Sequence, residues 1–155
     1  DVIIDLGSIA KGFITDRLGD YLKKSGIREF IIDSRGDILV VGTFDHIIGI
    51  QHPRNDKEIM GDIKIKDKGV TTSGDYKQFS GSYDKSHIIN SGDAVSITVV
   101  ADTVEEADVY ATVLFVLDEK EREKVMNKNK NVRAFVVNKE LKITMYNSFE
   151  EFISK

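Results

Sequence analysis

Four short β-rich runs follow one another closely between residues 28 and 66, and this spacing constrains the fold more than any other feature of the chain. The runs are residues 28–33, 37–42, 46–51 and 59–66. In the last run two isoleucines alternate with charged residues, as in a half-exposed strand. Neighbouring runs of this kind form hairpins. Together with the helices described next, they predict an α+β fold with a mixed or antiparallel sheet and packed helices.

Two segments have the pattern of apolar helices. Residues 8–25 carry apolar side chains at three- and four-residue steps, and Gly26 is a good C-terminal stop. Residues 104–117 follow Thr103, which forms a capping-box pattern with Glu106. The apolar positions of the first helix are Ile9, Phe13, Ile14, Leu18, Tyr21 and Leu22.

The remaining segments complete one mixed domain. Further strands are predicted over 2–6, 69–74, 86–90 and 94–101, a hairpin over 132–137 and 141–146, a charged helix over 118–127, and a short last helix capped by Ser148. No internal repeat, low-complexity stretch or linker divides the 155 residues. We therefore predict a single domain spanning residues 1–155.

Composition narrows the classes of function. The formal net charge is −4 with both signs interspersed, which argues against a surface that binds nucleic acid. We therefore expect no nucleic-acid partner. The absence of cysteine excludes disulfides, thiolate chemistry and cysteine-ligated metals. No apolar stretch approaches the roughly 20 residues of a membrane span. Because the chain starts at Asp1 inside an apolar run, we expect a cut or processed start.

Asp108 and Thr112 lie four residues apart on the predicted helix 104–117 and so share one face. That face also carries the apolar side chains that should be buried. Burying a carboxylate without a partner is costly, and a magnesium ion, which takes oxygen ligands and few protein carboxylates, would offset the cost. The alternative is that Asp108 pairs with a basic side chain and Thr112 bonds to its own helix. On spacing alone this alternative is the commoner situation.

Two glycine-containing stretches could contact phosphate. Residues 5–12 form a strand-to-helix junction in which backbone N–H groups and Lys11 would attract an anion, although the spacing is not that of a nucleotide P-loop. Residues 71–75, Thr-Thr-Ser-Gly-Asp, place hydroxyls at a strand end, where they could hold a phosphate or ribose. Packing at the junction and an ordinary turn at the strand end are the commoner explanations.

His87 stands between a polar loop and two isoleucines. A histidine at such an edge could act as a general base near neutral pH. A lone histidine is more often structural, so the position alone does not decide between the two roles.

Five stretches of the chain, taken in order, resemble the signatures of one family. Asp5-Leu-Gly-Ser-Ile-Ala-Lys-Gly-Phe13 resembles D-L-G-[GSA]-I-A-K-G-[YF], Ser34–Ile38 resembles N-x-G-G-D-I with Arg35 in place of the first glycine, Thr72–Tyr76 matches T-S-G-D-Y, His87-Ile-Ile resembles H-I-I-D-P, and Ala107–Thr112 matches A-D-x-x-A-T. These are the motifs of the FAD:protein FMN transferases, the ApbE family. The resemblance covers almost the whole chain and implies the ApbE-like, T-fold-related architecture.

The resemblance also implies a reaction and a set of site residues. The family uses Mg²⁺ to transfer FMN from FAD to a threonine of an acceptor protein, with AMP leaving. By position, the magnesium ligands would be Ser8, Asp108, Ala111 and Thr112, and the flavin nucleotide contacts would be Asp5, Lys11, Thr72, Ser73, Gly74 and Ile89. His87 falls on the histidine that helps to deprotonate the acceptor threonine.

Two departures from the family pattern shape the hypotheses. By the resemblance, these residues correspond only to the family's C-terminal half, and the loop P-x-T-G-x-P is shortened to residues 90–93. We therefore expect the C-terminal half of a flavin transferase, acting with the missing N-terminal half or a partner chain. The alternatives are a non-catalytic flavin- or nucleotide-binding module and a structural or partner-binding domain. The resemblance further implies export, to the periplasm or the outer face of the cytoplasmic membrane.

Overall fold

The computed structural model describes residues 6–75 and 92–154. Its elements in chain order are α1 (Gly7–Lys24), β1 (Phe30–Asp33), β2 (Asp37–Val41), β3 (His46–Gln51), β4 (Ile59–Ile65), β5 (Lys68–Gly74), β6 (Ala94–Ala101), α2 (Val104–Val116), α3 (Glu119–Lys128), β7 (Arg133–Asn138), β8 (Ile143–Tyr146) and a short 3₁₀ helix (Phe149–Phe152). These bounds lie within about two residues of the predicted ones. The predicted strands over 2–6 and 86–90 fall outside the described residues, except for Leu6, which is the N-cap of α1.

Six strands form one antiparallel sheet in the order β1-β2-β5-β6-β7-β8, and β3 pairs with β4 as a separate antiparallel hairpin. Strand β6 lies near the middle of the large sheet and is buried along its whole length. This burial explains why its sequence, Ala-Val-Ser-Ile-Thr-Val-Val-Ala, is apolar almost throughout rather than alternating. The mixture of antiparallel strands and helices confirms the predicted α+β class.

The two faces of the large sheet are covered by different elements. On one face α2 packs its apolar side chains, among them Leu114 and Phe115, against residues of β6 and β7. On the other face the hairpin β3–β4 and the 3₁₀ helix pack through Ile63 and Phe149 against the same strands. The sheet therefore separates two hydrophobic clusters, and α1 lies outside this sandwich against α2 and β2.

The packed face of α1 consists of small residues and not of its apolar stripe. Gly12, Thr15 and Gly19 are the buried residues of this helix. A Cβ at Gly19 would lie 2.4 Å from Leu39 Cδ2, so a larger residue at this position would displace the end of that side chain on β2. Of the six apolar positions found in the sequence, Phe13, Ile14, Leu18 and Tyr21 are exposed.

The helix ends follow the predicted caps only in part. Thr103 accepts a hydrogen bond from Glu106 N, as the predicted capping box requires, but the Glu106 carboxylate accepts from Asn131 instead of closing the box. Ser148 is the N-cap residue of the last helix, as predicted, but it has a φ of 58° and its side chain makes no cap hydrogen bond. Within the described ranges, none of the helices combines the length and apolar character needed to cross a membrane.

Candidate functional site

A cleft of about 800 Å³ opens between the helices and the β3–β4 hairpin. The first turn of α1, the middle of α2, the β1–β2 turn and the end of β5 contribute most of its polar residues, and β3 and β4 also line it. The cleft is large enough for a small-molecule ligand. Its polar lining includes Ser8, Lys11, Ser34, Arg35, Thr72, Ser73, Thr98, Asp108 and Thr112.

Helices α1 and α2 are joined by two sets of hydrogen bonds that fix the helical side of the cleft. The Asp16 carboxylate accepts hydrogen bonds from the backbone N–H groups of Val104 and Glu105, at 3.0 and 2.8 Å, and so caps α2 from the neighbouring helix. Gly12 N donates to Asp108 Oδ2 at 3.0 Å. A Cβ on Gly12 would lie 2.7 Å from Glu105 Cα. The glycine therefore permits the close approach on which these bonds depend.

Asp108 carries a buried carboxylate that has no basic partner in the parts of the chain that the structure describes. The residue is 3% exposed, and its side chain accepts the hydrogen bond from Gly12 but forms no ion pair there. Burial raises the pKa of the Asp108 carboxyl above its ordinary value, and the Asp37 carboxylate raises it further. The hydrogen bond from Gly12 and the charge of Lys11 act in the opposite direction. A bound cation would relieve the cost of this burial.

Lys11 lines the cleft, and its ammonium forms an ion pair with Asp37 at the start of β2. The Asp37 side chain is 1% exposed and that of Lys11 is 56% exposed, so the charge of Asp37 is balanced at the cleft boundary. A neighbouring hydrogen bond of 2.8 Å between Thr15 Oγ1 and Ser34 Oγ also joins α1 to the β1–β2 turn. The sequence motifs did not identify Asp37 as a site residue.

The β1–β2 turn brings a cation to the cleft. Arg35 and Gly36 both have positive φ, at 62° and 102°. The turn is closed by a hydrogen bond from Gly36 N to Asp33 Oδ1 and by one from Ser34 N to Asp37 O, both of 2.9 Å. Arg35 is exposed and lines the cleft.

The end of β5 carries the Thr72-Ser73-Gly74 stretch, and all three residues line the cleft as predicted nucleotide contacts should. Thr72 Oγ1 and Thr98 Oγ1 are 2.9 Å apart and form a hydrogen bond across β5 and β6. The next residue, Asp75, is bound by both terminal nitrogens of Arg54, at 2.5 and 2.9 Å. This bidentate pair ties the end of β5 to the segment between β3 and β4.

Aliphatic side chains also line the cleft. They are Ile48 and Ile50 from β3, Ile63 from β4, and Ile38 and Val70 from the large sheet. The cleft therefore presents aliphatic surface as well as hydroxyls and charges. Such a lining suits a ligand with a charged part and a flat apolar part.

The structure brings together most of the site residues predicted from sequence. Ser8, Lys11, Thr72, Ser73, Gly74, Asp108 and Thr112 all line the one cleft. Ala111 lies on α2 between Asp108 and Thr112. Its side chain is fully buried in the core, so only its backbone could contact a bound ion or molecule. Asp5, His87 and Ile89 lie outside the described residues.

The residues that the structure describes around the cleft offer oxygen ligands for a metal ion. Across residues 6–75 and 92–154, no group of three or more His, Asp or Glu side chains is arranged to hold a metal ion. A closed cage of carboxylates is therefore not built from these residues. One buried carboxylate that lines the same cleft as Ser8 and Thr112 instead fits Mg²⁺, which keeps waters and takes part of its ligands from a bound phosphate.

Comparisons with known proteins point to one family. The ApbE family matches residues 1–136 of the chain. The FAD:protein FMN transferase of Vibrio cholerae is 30% identical over 171 residues, covering 100% of this chain and 51% of the relative. That of Escherichia coli K12 is 27% identical and covers 99% of this chain and 48% of the relative.

Solved structures give the same result. The ApbE protein of Thermotoga maritima has a TM-score of 0.87 at 26% identity, covering 98% of this chain and 54% of that chain. The flavin transferase ApbE of Vibrio cholerae has a TM-score of 0.77 at 28% identity, covering 96% and 52%. The chain thus belongs to the ApbE family, as its motifs predicted. It spans about half the length of the curated relatives that it matches.

Proposed function

We propose that this chain is the C-terminal half of a flavin transferase, which moves FMN from FAD to a threonine of an acceptor protein in a magnesium-dependent reaction. The observation that carries the proposal is the buried Asp108 carboxylate, which faces the cleft without a basic partner in the described part of the chain. Ser8, Lys11 and Thr112 face the same cleft. The Vibrio cholerae and Escherichia coli relatives, which are called flavin or FMN transferases, support the same reaction.

The mixed lining of the cleft supports a dinucleotide donor. The aliphatic side chains of β3 and β4 would contact the flat ring of the flavin. The first turn of α1, Lys11 and the hydroxyls of Thr72 and Ser73 would contact the charged diphosphate and the sugar. The volume of about 800 Å³ lies within the usual range for ligand sites of roughly 300–1,000 Å³.

Magnesium fits this proposal through the residues already described. Ser8, Asp108 and Thr112 would hold it with their side chains, and Ala111 with its backbone. The ion would supply positive charge to the diphosphate as charge develops on the transferred phosphoryl group. Lys11, kept in place by Asp37, would supply further positive charge beside it.

The transfer itself is a phosphoryl substitution. The threonine Oγ of the acceptor forms a bond to the phosphorus of the FMN moiety, and the bond from that phosphorus to the bridging oxygen of AMP breaks. AMP leaves with the bridging oxygen, and the hydroxyl proton of the threonine passes to a base. The family resemblance gives that role to His87.

The outer face of α1 supports a partner for this half. Phe13, Ile14, Leu18 and Tyr21 are between 45% and 66% exposed, and they form an apolar surface on one helix. Because the relatives are about twice as long as this chain, we propose that a polypeptide equivalent to their remaining half covers this surface. That polypeptide would also close the open side of the cleft, whether it precedes this sequence or is a separate chain.

The second candidate function is a flavin- or nucleotide-binding module without transferase activity. The shared coverage of about half of each relative favours it, because a half-site could bind the donor without completing the reaction. The two functions differ in one result. A binding module would retain FAD but would not modify a threonine even when the other half is supplied.

The family resemblance also supports an exported location. We propose that the protein acts in the periplasm or on the outer face of the cytoplasmic membrane. Cell fractionation with a tag that is detected only outside the cytoplasm would test this, and recovery in the cytoplasmic fraction would contradict it.

The experiment that tests the proposed reaction is mass spectrometry of a threonine-bearing acceptor incubated with FAD, Mg²⁺ and the chain. The reaction should be run with and without a polypeptide equivalent to the N-terminal half of a relative. A mass increase equal to one FMN less water, located on the threonine and lost in Asp108→Ala, is expected when the half is supplied. No addition under either condition, with FAD still bound, would favour the binding module.

A further inference from the structure

Arg35 occupies a backbone conformation that favours glycine. Its φ is 62°, and it is followed by Gly36 with a φ of 102°. The motif that this turn resembles has glycine at both positions, so arginine replaces a residue better suited to the turn. A non-glycine residue in the left-handed region costs stability because its Cβ crowds the following carbonyl oxygen. Some other benefit should offset that cost.

The side chain of Arg35 faces the cleft and forms no ion pair within residues 6–75 and 92–154. Most other arginines in these ranges contact a carboxylate: Arg17 with Asp20, Arg54 with Asp75, Arg122 with Asp93 and Arg133 with Glu151. Arg35 thus brings to the cleft a guanidinium that no carboxylate of the described chain neutralises. The Lys11 ammonium, by contrast, is already engaged by Asp37.

The surroundings of Arg35 suit an anion. The first turn of α1 lines the cleft and contains no acidic residue. Ser34, Ser73 and Thr72 add hydroxyl donors in the same cleft. A guanidinium offers a fork of N–H donors that matches two oxygens of a phosphate, and this geometry distinguishes arginine from a point charge such as lysine.

We propose that Arg35 is an anion-binding residue of this cleft and that its guanidinium contacts a diphosphate beside Lys11. The proposal that the diphosphate belongs to FAD rests on the proposed function. The anion site itself rests on the position, conformation and unneutralised charge of Arg35. It is a feature of this chain and not of the glycine-containing family motif. Arg35 would therefore strengthen the hold of this half on the diphosphate part of the donor.

Titration calorimetry of the 155-residue chain with inorganic pyrophosphate tests the anion site directly. Arg35→Gln should lower the affinity about tenfold, which is the loss expected for one charge-assisted contact. Arg35→Gly should lower the affinity equally while raising the melting temperature, because glycine suits the φ of 62°. Arg28→Gln is the matched control, since Arg28 is exposed and does not line the cleft. The pyrophosphate affinity of this variant should equal that of the wild type.

The outcomes separate this inference from the proposed function. Equal pyrophosphate affinities in wild type and Arg35→Gln, or no pyrophosphate binding by the wild type, would overturn the anion site whatever the transferase assay shows. Loss of pyrophosphate affinity in Arg35→Gln, together with no FMN transfer by the wild type when the other half is supplied, would uphold the anion site and reject the transferase. Affinity for riboflavin, which has no phosphate, should be unchanged in Arg35→Gln, and a loss there would contradict a phosphate contact.

Discussion

Gly12 donates its backbone N–H to Asp108 Oδ2 at 3.0 Å, and this hydrogen bond joins two helices across 96 residues of sequence. The donor is neutral, so it holds the carboxylate in place without neutralising its charge. An ion pair would have held the carboxylate in place and also neutralised its charge. The bond therefore leaves the negative charge of Asp108 directed at the cleft, where a cation can use it.

Replacing Gly12 with alanine should open the contact between α1 and α2. The added Cβ would lie 2.7 Å from Glu105 Cα and 2.7 Å from Val104 O, and backbone atoms cannot move aside cheaply. We expect the free energy of unfolding to fall by about 1–3 kcal/mol, measured by urea denaturation. Gly61→Ala is the control, because no atom lies within 4 Å of the position that its Cβ would take. A Gly12→Ala protein more stable than wild type, as helix propensity alone would predict, would contradict the close contact.

The raised pKa of Asp108 predicts a pH-dependent effect of Asp108→Asn. A carboxyl with a raised pKa in the folded state keeps its proton to higher pH than in the unfolded chain, whose value is near 3.8. Its contribution to the free energy of unfolding therefore falls as pH rises from about 3.8 through the raised pKa, and then stays constant. The asparagine side chain of this variant would still accept from Gly12 but would not ionise. The variant should accordingly be more stable than wild type at pH 7.

Urea denaturation between pH 3 and pH 8, with a chelator present, measures this difference. The two proteins should converge below about pH 3.8, where both side chains are neutral. Asp20→Asn, at a side chain that is 49% exposed, is the control for a general charge effect. A constant difference across the whole range would mean that ionisation of Asp108 is not the cause.

The sequence predicted that Asp108 and Thr112 lie on one face of a helix, because four-residue spacing on a helix is a local property. It also predicted the element bounds, since periodicity and turn residues act over short distances. The packed face of α1 was not predictable in the same way. Gly12 and Gly19 pack because they are small. The pattern of apolar residues instead predicts burial of the opposite side of the helix, which is exposed.

The ion-pair partner of Lys11 is a second feature that could not be predicted from the sequence. Asp37 lies 26 residues away, and its position depends on the antiparallel register of β2 with β5, where Asp37 lies opposite Thr71. No local pattern in the sequence specifies that register. The only available signal was the motif resemblance around residues 34–38, which identified a turn but gave Asp37 no role.

The Lys11–Asp37 pair should show a measurable but small coupling. Lys11→Met leaves the buried Asp37 without its partner, so this single variant should be less stable than wild type. Adding Asp37→Asn removes the unpaired charge and should recover part of the loss. Because the Lys11 side chain is 56% exposed, solvent screens the pair, and we expect a coupling energy of about 0.5–1 kcal/mol. A double-mutant cycle by urea denaturation measures it, and strict additivity would show that the contact contributes nothing.

Magnesium and FAD should stabilise the protein jointly. Because no group of three or more His, Asp or Glu side chains in the described ranges can hold the ion, it needs phosphate oxygens to complete its coordination, so Mg²⁺ should raise the melting temperature only when FAD is also present. When the free ligand is at a hundred times its dissociation constant, the free energy of unfolding rises by about 2.7 kcal/mol.

Thermal denaturation with all four combinations of Mg²⁺ and FAD tests this linkage. Asp108→Ala and Thr112→Val should abolish the joint gain while leaving the effect of FAD alone. Val113→Thr, on the neighbouring helix position that does not line the cleft, is the control and should behave as wild type. A joint gain of equal size in Asp108→Ala would place the ion elsewhere.

The outer face of α1 should matter for assembly and not for the stability of this half. Ile14 and Leu18 are 63% and 45% exposed, so replacing both with glutamate should change the free energy of unfolding of the isolated chain by no more than about 0.5 kcal/mol. The same change should abolish binding to a polypeptide equivalent to the other half, because charged side chains would be buried at that surface. Calorimetric titration of one half with the other measures the binding. Ile143→Glu, which alters an exposed isoleucine on the edge strand β8, should leave the binding intact. If the α1 variant bound as tightly as the wild type, the other half would have to cover a different surface.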